Sequence, residues 1–409
     1  TEPTVTLYRD TAAWCPYCQK VWLVLEELRV PYMVKKVPMS CYGDKPMWFR
    51  RISPSGQIPV AEIDGRIVNE SNDIIVMLLS MYQEKAPEHR ELFDFDDEKA
   101  QQLLRLERQL FSAWMRWVTT PGSARQRGQF IVSLEAVERA LREAAGAAEG
   151  AAPPANAPVF FLGGDNMSLV DIQFAPFLER MAASVLYYKG MQIRGGRDGG
   201  QFPWVEAWFR SMEATPSYAA TRSDHFTNAH SLPPQIGGCY PDGDGPDLAP
   251  IQAEIDGSSW KLPLPAAEAT SAYEPAVLGA GGVDDAAAAR EAAFSLLSNH
   301  AAVVPFACRA LGKKGMPPVR AEYADPNATP NENFVDYVDA ALRAVAQSLL
   351  ESPAAAEAGL VQGGEPAAAA EALAYLRDRV GVPRDMPHRS AQLLRAHLNH
   401  IIDALEKQA

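Results

Sequence analysis

Cys15-Pro16-Tyr17-Cys18 constrains this chain more than any other feature. It lies between a strand-like run, Thr4-Val5-Thr6-Leu7-Tyr8, and an amphipathic run, Val21-Trp22-Leu23-Val24-Leu25. A C-x-x-C at the hinge from a strand into a helix is a redox arrangement. The first sulfur meets the unpaired N–H groups and the positive dipole end of the helix, which favour thiolate over thiol. Cys15 is therefore expected to be a nucleophile at neutral pH. Cys18, one turn later on the same face, is placed to resolve a mixed disulfide. A zinc half-site fits less well, because no second C-x-x-C or His pair lies at ligand spacing. Pro16 in the first helical turn suits a redox hinge better than a purely structural cysteine pair.

The 409 residues are enough for two or three domains. No apolar run approaches the roughly 20 residues that span a bilayer, so a soluble protein without a membrane span is expected. A formal charge of -13 argues against nucleic acid as the main partner. Five cysteines, two of them in one motif, do not make a secreted disulfide framework. The chain starts at Thr1. That start suggests a chloroplast or other organellar protein whose leader has been removed, with a cytoplasmic location as the alternative.

Along the chain, residues 1–83 read as an α/β domain. Its order is strand 4–9, helix 16–29, strand 32–37, a short helix near 44–52, strands 59–63 and 66–69, and helix 71–83. Asp64-Gly65 marks a tight hairpin. Residues 97–225 read as all-helical, with Leu103, Leu106, Leu110, Trp114 and Trp117 at helical spacing. Ser168 and Asp171 form an acidic capping box before an apolar run. Residues 226–280 are rich in Pro and Gly and read as a linker without regular structure. Residues 281–409 are helical again, with candidates at 284–300, 331–351, 366–380 and 388–407. Their apolar stripes predict a bundle docked on the rest of the chain rather than swinging free.

Residues 4–225 resemble the glutathione transferase superfamily, on four features: the Cys15-to-Cys18 hinge, Ser55-Gly56-Gln57-Ile58-Pro59-Val60, Asn69-Glu70-Ser71 and the capping box. The resemblance implies a thioredoxin-like domain followed by an all-α transferase domain, here with an additional helical extension. Among the classes it is similar to the cysteine type, omega transferases and dehydroascorbate reductases. Lys45-Pro46-Met47-Trp48-Phe49 resembles the omega pattern, in which the lysine contacts the tripeptide. Arg384-Asp385-Met386-Pro387 is similar to an extended plant and algal branch. Cys18 departs from the pattern, since those classes usually carry Ala or Ser there; the C-P-Y-C form is closer to glutaredoxin.

The resemblance implies roles for single residues. Ile58, before a cis Pro59, would pair with the backbone of glutathione by strand addition. Glu70 would face the γ-glutamyl ammonium. Ser71 would cap the following helix and receive a carboxylate on its N–H groups. Lys45 would pair with the glycyl carboxylate. Trp114, Trp117 and Tyr187 are candidates to wall an electrophile site, though aromatics at such spacing are more often core. His397 and His400, three apart, read as a packed or solvated face, and no metal site is expected. Cys41, Cys239 and Cys308 read as incidental thiols.

Two functions compete. The first is a glutathione-dependent thiol transferase or reductase, with glutathione as co-substrate and a small-molecule or protein disulfide as partner. The second is a non-catalytic scaffold subunit, in which residues 226–409 cover the groove or grip a partner. The extension leaves open a homodimer or a larger complex. Whether the groove beside Cys15 is open discriminates between them.

Overall fold

The computed structural model describes residues 4–40, 43–82, 94, 96–122, 124–195, 200–243, 245–256, 261–264, 273–274, 284–316, 325–360, 364–379 and 386–409. Cys41, Arg384 and Asp385 lie outside them.

The first region is a four-stranded sheet with helices. Val5–Asp10 (β1), Pro16–Glu27 (α1), Tyr32–Val37 (β2), Met47–Ile52 (α2), Val60–Ile63 (β3), Arg66–Asn69 (β4) and Ser71–Tyr82 (α3) follow in order. The strand order is β2-β1-β3-β4, with β2 parallel to β1 and the remaining pairs antiparallel. β1 is buried along its whole length, as a strand covered on both faces must be. The hairpin at Asp64-Gly65 has positive φ at both residues, +47° and +78°, which the twist of a two-residue hairpin requires. The connection through α1 brings the end of β1 and the start of α1 to one edge of the sheet, where Cys15 stands.

The second region is helical: Glu98–Val118 (α4), Ala124–Ala144 (α5), Leu169–Lys189 (α6), Pro203–Ala214 (α7) and Pro216–Thr221 (α8). α6 is its axis and is buried on nearly every side. Its start is fixed by the capping box: Ser168 and Asp171 each bond the other's backbone N–H. The Asp171 carboxylate also accepts from the Phe161 amide at 3.1 Å and from Trp208 Nε1 at 2.8 Å. One apolar core runs from β1 and α1 through α4, α5 and α6 to α7, so the sheet region and the helical region share an interior.

Residues 225–256 depart from the expected linker. They form His225–His230 (α9), Leu232–Ile236 (α10) and Ala249–Asp256 (α11). Few apolar residues were needed: Phe226, Ala229, Ile251 and Ile255 pack with Ala12, Trp14 and Tyr187 in a small core of their own. The Asp224 side chain accepts from Thr227 N at 2.8 Å and caps α9. Asp242 closes a buried ion pair with Lys189 at 2.8 Å. Capping and anchoring at single residues order the segment, where periodicity offers no signal.

The third region comprises Asp285–Ser298 (α12), His300–Ala307 (α13), Val335–Leu350 (α14), Pro353–Gly359 (α15), Pro366–Asp378 (α16) and His388–Glu406 (α17), with short 3-10 turns at Cys308–Leu311 and Glu332–Phe334. Its core is separate and rich in alanine and leucine. α17 is buried on two sides. One face packs on α12, α14, α15 and α16. The other carries Arg395, whose guanidinium lies 3.3 Å from the centre of the Phe226 ring in α9. Glu274 joins the same two helices: it accepts from the His225 amide at 2.9 Å and from His388 Nε2 at 2.6 Å.

Candidate functional site

An open cleft of about 760 Å³ lies beside Cys15. Six residues singled out from the sequence line it together: Cys15, Lys45, Ile58, Pro59, Glu70 and Ser71. The seventh, Cys18, lies beneath, 1% exposed, one helical turn further into the protein. Among the described residues beyond position 225, none fills the cleft. Among the described residues, Pro234 and Gln235 of α10 are those that reach its wall.

Cys15 occupies the cap position of α1 with an extended backbone, and its side chain makes no capping bond. Pro16 takes the first helical position, where its missing N–H costs nothing. The thiol sits 4.0 Å from the Ile58 carbonyl oxygen, so the Cys15 sulfur and the cis-proline loop face each other. The Ile58-Pro59 peptide is cis. A hydrogen bond from the Cys18 thiol holds the Cys15 thiol below its ordinary value, with Arg180 acting in the same direction and burial and the Asp10 charge opposing. Cys18 moves the other way. Burial, together with its bond to Cys15, pushes it well above the usual thiol value. The two sulfurs thus divide into an ionisable one and a protonated one.

Charges around the cleft are asymmetric. Lys45 is half-buried; burial lowers its ammonium below the usual lysine value, while Cys18, Cys15 and Asp10 draw it up. Glu70 also lines the cleft, exposed, with φ +63°, the left-handed region that a side chain with a Cβ enters at a cost. Its carbonyl accepts the Ile74 amide at 3.0 Å. Glu70, rather than the expected Ser71, therefore holds the cap position, and Ser71 is the first residue of α3. A cation and a carboxylate in one cleft suit a zwitterion with carboxylate and ammonium termini.

Three aromatic candidates do not wall the cleft. Trp114 and Trp117 belong to the main core, at 1% and 0% exposure, and Tyr187 to the small core under α9. Their polar atoms are used internally: Trp114 Nε1 donates to Ser184 Oγ at 3.0 Å, Trp117 Nε1 to Asp242 Oδ2 at 3.0 Å, and Tyr187 Oη to Asp256 Oδ2 at 3.1 Å. The aromatic ring at the cleft is Tyr17, packed edge-on against Phe177 at 5.6 Å. His397 is buried with Nδ1 2.7 Å from Ser348 Oγ, and His400 pairs with Glu357 at 2.9 Å. No cluster of His, Cys, Asp or Glu suited to a metal ion occurs among the described residues. Cys239 and Cys308 are remote, and burial raises both thiols, Cys239 to about 12.

Several residues at the site carry no sequence signal. Asp10 is fully buried and accepts from the backbone N–H of Trp14 at 2.8 Å, of Ala12 at 3.2 Å and of Cys15 at 3.3 Å. Lys20 donates to Gln173 Oε1 at 2.8 Å, and burial brings its ammonium down to about 8. Gln19 bridges Glu179 and Arg180 of α6. The contacts of Lys20 and Gln19 with α6 span more than 150 residues of sequence, beyond any local pattern, whereas those of Asp10 are local.

Residues 14–81 match the family model of the glutathione S-transferase N-terminal domain, and residues 121–211 that of the C-terminal domain. Glutathione S-transferase DHAR3 of Arabidopsis thaliana, described as chloroplastic, is 28% identical over 211 residues, 51% of this chain and 69% of that protein. Glutathione S-transferase DHAR2 of the same plant is 29% identical over 185 residues, 45% of this chain and 75% of that protein. Among solved structures, omega 3C glutathione transferase of Trametes versicolor matches 55% of this chain and 91% of its own, at 25% identity and a TM-score of 0.43.

Proposed function

We propose, for a chain whose residues 14–81 and 121–211 belong to the glutathione transferase superfamily and which is similar to its cysteine-type members, a glutathione-dependent thiol transfer at Cys15. The observation that carries the reading is the single cleft in which Cys15, Lys45, Ile58, Pro59, Glu70 and Ser71 converge. In this reading glutathione lies extended along Ile58, in the manner of an added strand, with its γ-glutamyl end at Glu70 and Ser71 and its glycyl carboxylate toward Lys45. Its sulfur then falls beside Cys15.

The exchange is balanced with sulfur and protons alone. The Cys15 thiolate attacks the glutathionyl sulfur of a mixed disulfide R–S–S–G. The disulfide bond breaks, R–S⁻ leaves and takes a proton from water, and Cys15 carries the glutathionyl group. A second glutathione, as thiolate, attacks that group, releases the Cys15 thiolate and forms oxidised glutathione. Cys18 offers a second exit: its sulfur attacks Cys15, its proton passes to the glutathione thiolate that is expelled, and a Cys15–Cys18 disulfide is left. Burial pushes the Cys18 thiol up, which favours glutathione as the resolving thiol. The chemistry differs from conjugation by a hydroxyl-type transferase, since a cysteine beside glutathione forms a disulfide with it. The open cleft favours this reading over a scaffold whose groove is blocked.

Intact mass after incubation with oxidised glutathione tests the proposal. One glutathionyl adduct is expected, at Cys15 by peptide mapping, and it should be lost on adding reduced glutathione. Calorimetry on the Glu70→Ala variant should read glutathione binding weaker by about 1.5–3 kcal/mol, the range for a hydrogen bond to a charged group. No binding to the wild-type protein, or adducts spread over several cysteines, would remove the basis of the proposal.

A further inference from the structure

The peptide unit just before the nucleophile is held at both ends by opposite charges. Its N–H, that of Cys15, points to Asp10 Oδ1 at 3.3 Å. Its carbonyl, that of Trp14, accepts from Arg180 Nε at 3.1 Å and from Arg180 Nη2 at 2.6 Å. All the groups involved are buried: Asp10 and Trp14 at 0% exposure and Arg180 at 1%. Asp10 comes from the end of β1 and Arg180 from the middle of α6, so the clamp closes across the boundary between the sheet region and the helical region.

Arg180 is itself locked. Its Nη1 donates to the Pro176 carbonyl at 2.6 Å and to Gln19 Oε1 at 2.9 Å. Gln19 is oriented in turn by its Nε2, which donates to Glu179 Oε2 at 3.0 Å. A planar fork with several donors in fixed directions does this; an ammonium on a flexible stem does not. Burying a guanidinium is expensive, and a purely apolar boundary would pack as well at lower cost. Its position at the carbonyl before Cys15 therefore points to the sulfur.

We propose that Arg180 and Asp10 are positioning residues that grip the Trp14–Cys15 peptide from its two ends and so fix where the Cys15 thiol points into the cleft. The proposal rests on the reading of Cys15 as nucleophile. Neither side chain touches substrate in this arrangement; each acts through the peptide. Their charges act on the sulfur in opposite senses, Arg180 favouring the thiolate and Asp10 opposing it. The other titratable groups that face the site are Tyr17 and Cys18 on α1, Lys45 before α2 and Glu70 before α3, with Lys20 on α1 at longer reach. The variants below leave all of them in place.

The test is the pH profile of Cys15 alkylation by iodoacetamide, read site by site from peptide masses, and needs no glutathione. In Arg180→Met the midpoint should rise and the rate at pH 6 fall by about three- to ten-fold. In Asp10→Asn the midpoint should fall. Arg180→Lys keeps the charge and loses the fork, so its midpoint should stay near that of the wild type while its plateau rate at high pH drops. Opposite shifts in the first two variants are the signature, because loss of folding would slow or speed both alike. Cys308, buried in the third region, reports unfolding by becoming labelled; if Arg180→Met fails that control, the Lys and Asn variants carry the test. Unchanged midpoints, or shifts of the same sign, overturn the proposal. A wild-type Cys15 whose alkylation midpoint lies no lower than that of a free cysteine overturns the nucleophile reading instead.

Discussion

Residues 4–225 and residues 284–409 are both well-packed, but they are built from different materials. The first core holds Trp114, Trp117, Trp208, Phe130 and Phe161, each a large apolar area buried at one position. It also tolerates buried polar groups, Asp10, Gln19, Lys20, Glu179 and Arg180, because each has partners with good geometry. The second core relies on alanine: Ala292, Ala293, Ala341, Ala372 and Ala391 lie at the helix contacts. Alanine lets helices approach closely but removes little surface from water, on the order of 0.8 kcal/mol per buried methyl-sized group. A core of aromatic anchors can support a cleft with fixed charges. A core of alanines holds its helices close, and its attachment to the rest depends on a few polar joints: Glu274 with His225 and His388, and Arg395 over Phe226.

The largest expected difference between the regions is chemical. Cys15→Ser should abolish thiol transfer, a loss of at least about a thousand-fold, since a serine hydroxyl stays protonated and cannot exchange with a disulfide. Cys308→Ser, in the second core, should leave turnover unchanged. Assay with a glutathionylated peptide decides this, and equal losses in both variants would erase the contrast.

A smaller effect probes the joint. Glu274 is 2% exposed, and although burial opposes its charge, His388 and His225 more than offset it and hold the carboxyl well below the usual range. Glu274→Ala leaves two histidines facing a void. Breaking a buried pair from one side typically costs about 3–5 kcal/mol. In urea the variant should unfold in two transitions, the alanine-rich region first. A single transition at the wild-type midpoint would mean that the regions are held together by other contacts.

The smallest effect is the response to acid, with one reporter histidine on each side. Burial lowers both His225, in α9, and His397, in α17, to about 4. For His225 burial outweighs the pull of Glu274, whose carboxylate is already engaged by His388. An unfolded histidine titrates near 6.5. Between roughly pH 6.5 and 4 the unfolded chain therefore binds the extra protons, and stability falls as the pH drops through that window. From pH 7 to pH 5 each histidine should contribute a loss of about 1–2 kcal/mol. Glu274 acts in the same direction further into acid, since a depressed carboxyl loses its contribution as the pH falls. Urea midpoints at the two pH values check this; a flat profile would contradict it.

Much of the first region was legible in the residues. Cys15-Pro16-Tyr17-Cys18 after a strand, Asp64-Gly65 between two short strands and Ser168 with Asp171 are local signals, each set by the chemistry of a few neighbouring atoms. The order of the elements from Val5 to Tyr82 followed from them. The aromatic residues were harder to place. Trp114, Trp117 and Tyr187 have the same helical spacing whether they face a core or a cleft, and burial depends on what packs against the helix. Residues 225–256 were illegible for a different reason: their order comes from anchors such as Phe226 and Asp242, which bind to elements distant in sequence.

The sequence alone determined that the Cys15 sulfur stands at a helix start, where unpaired N–H groups concentrate at the first residues whatever the rest of the chain does. It also determined the hinge, the hairpin and the capped helix, which are short-range facts. Tertiary structure alone decided what surrounds that sulfur. It brought Arg180 and Asp10 to the two ends of one peptide, and it carried Pro234 and Gln235 of α10 to the wall of the cleft. It also set α17 against α9. Apart from that of Asp10, which is local, such contacts join residues far apart along the chain, and the free energy that selects them is shared among the whole packed interior rather than encoded in any one segment.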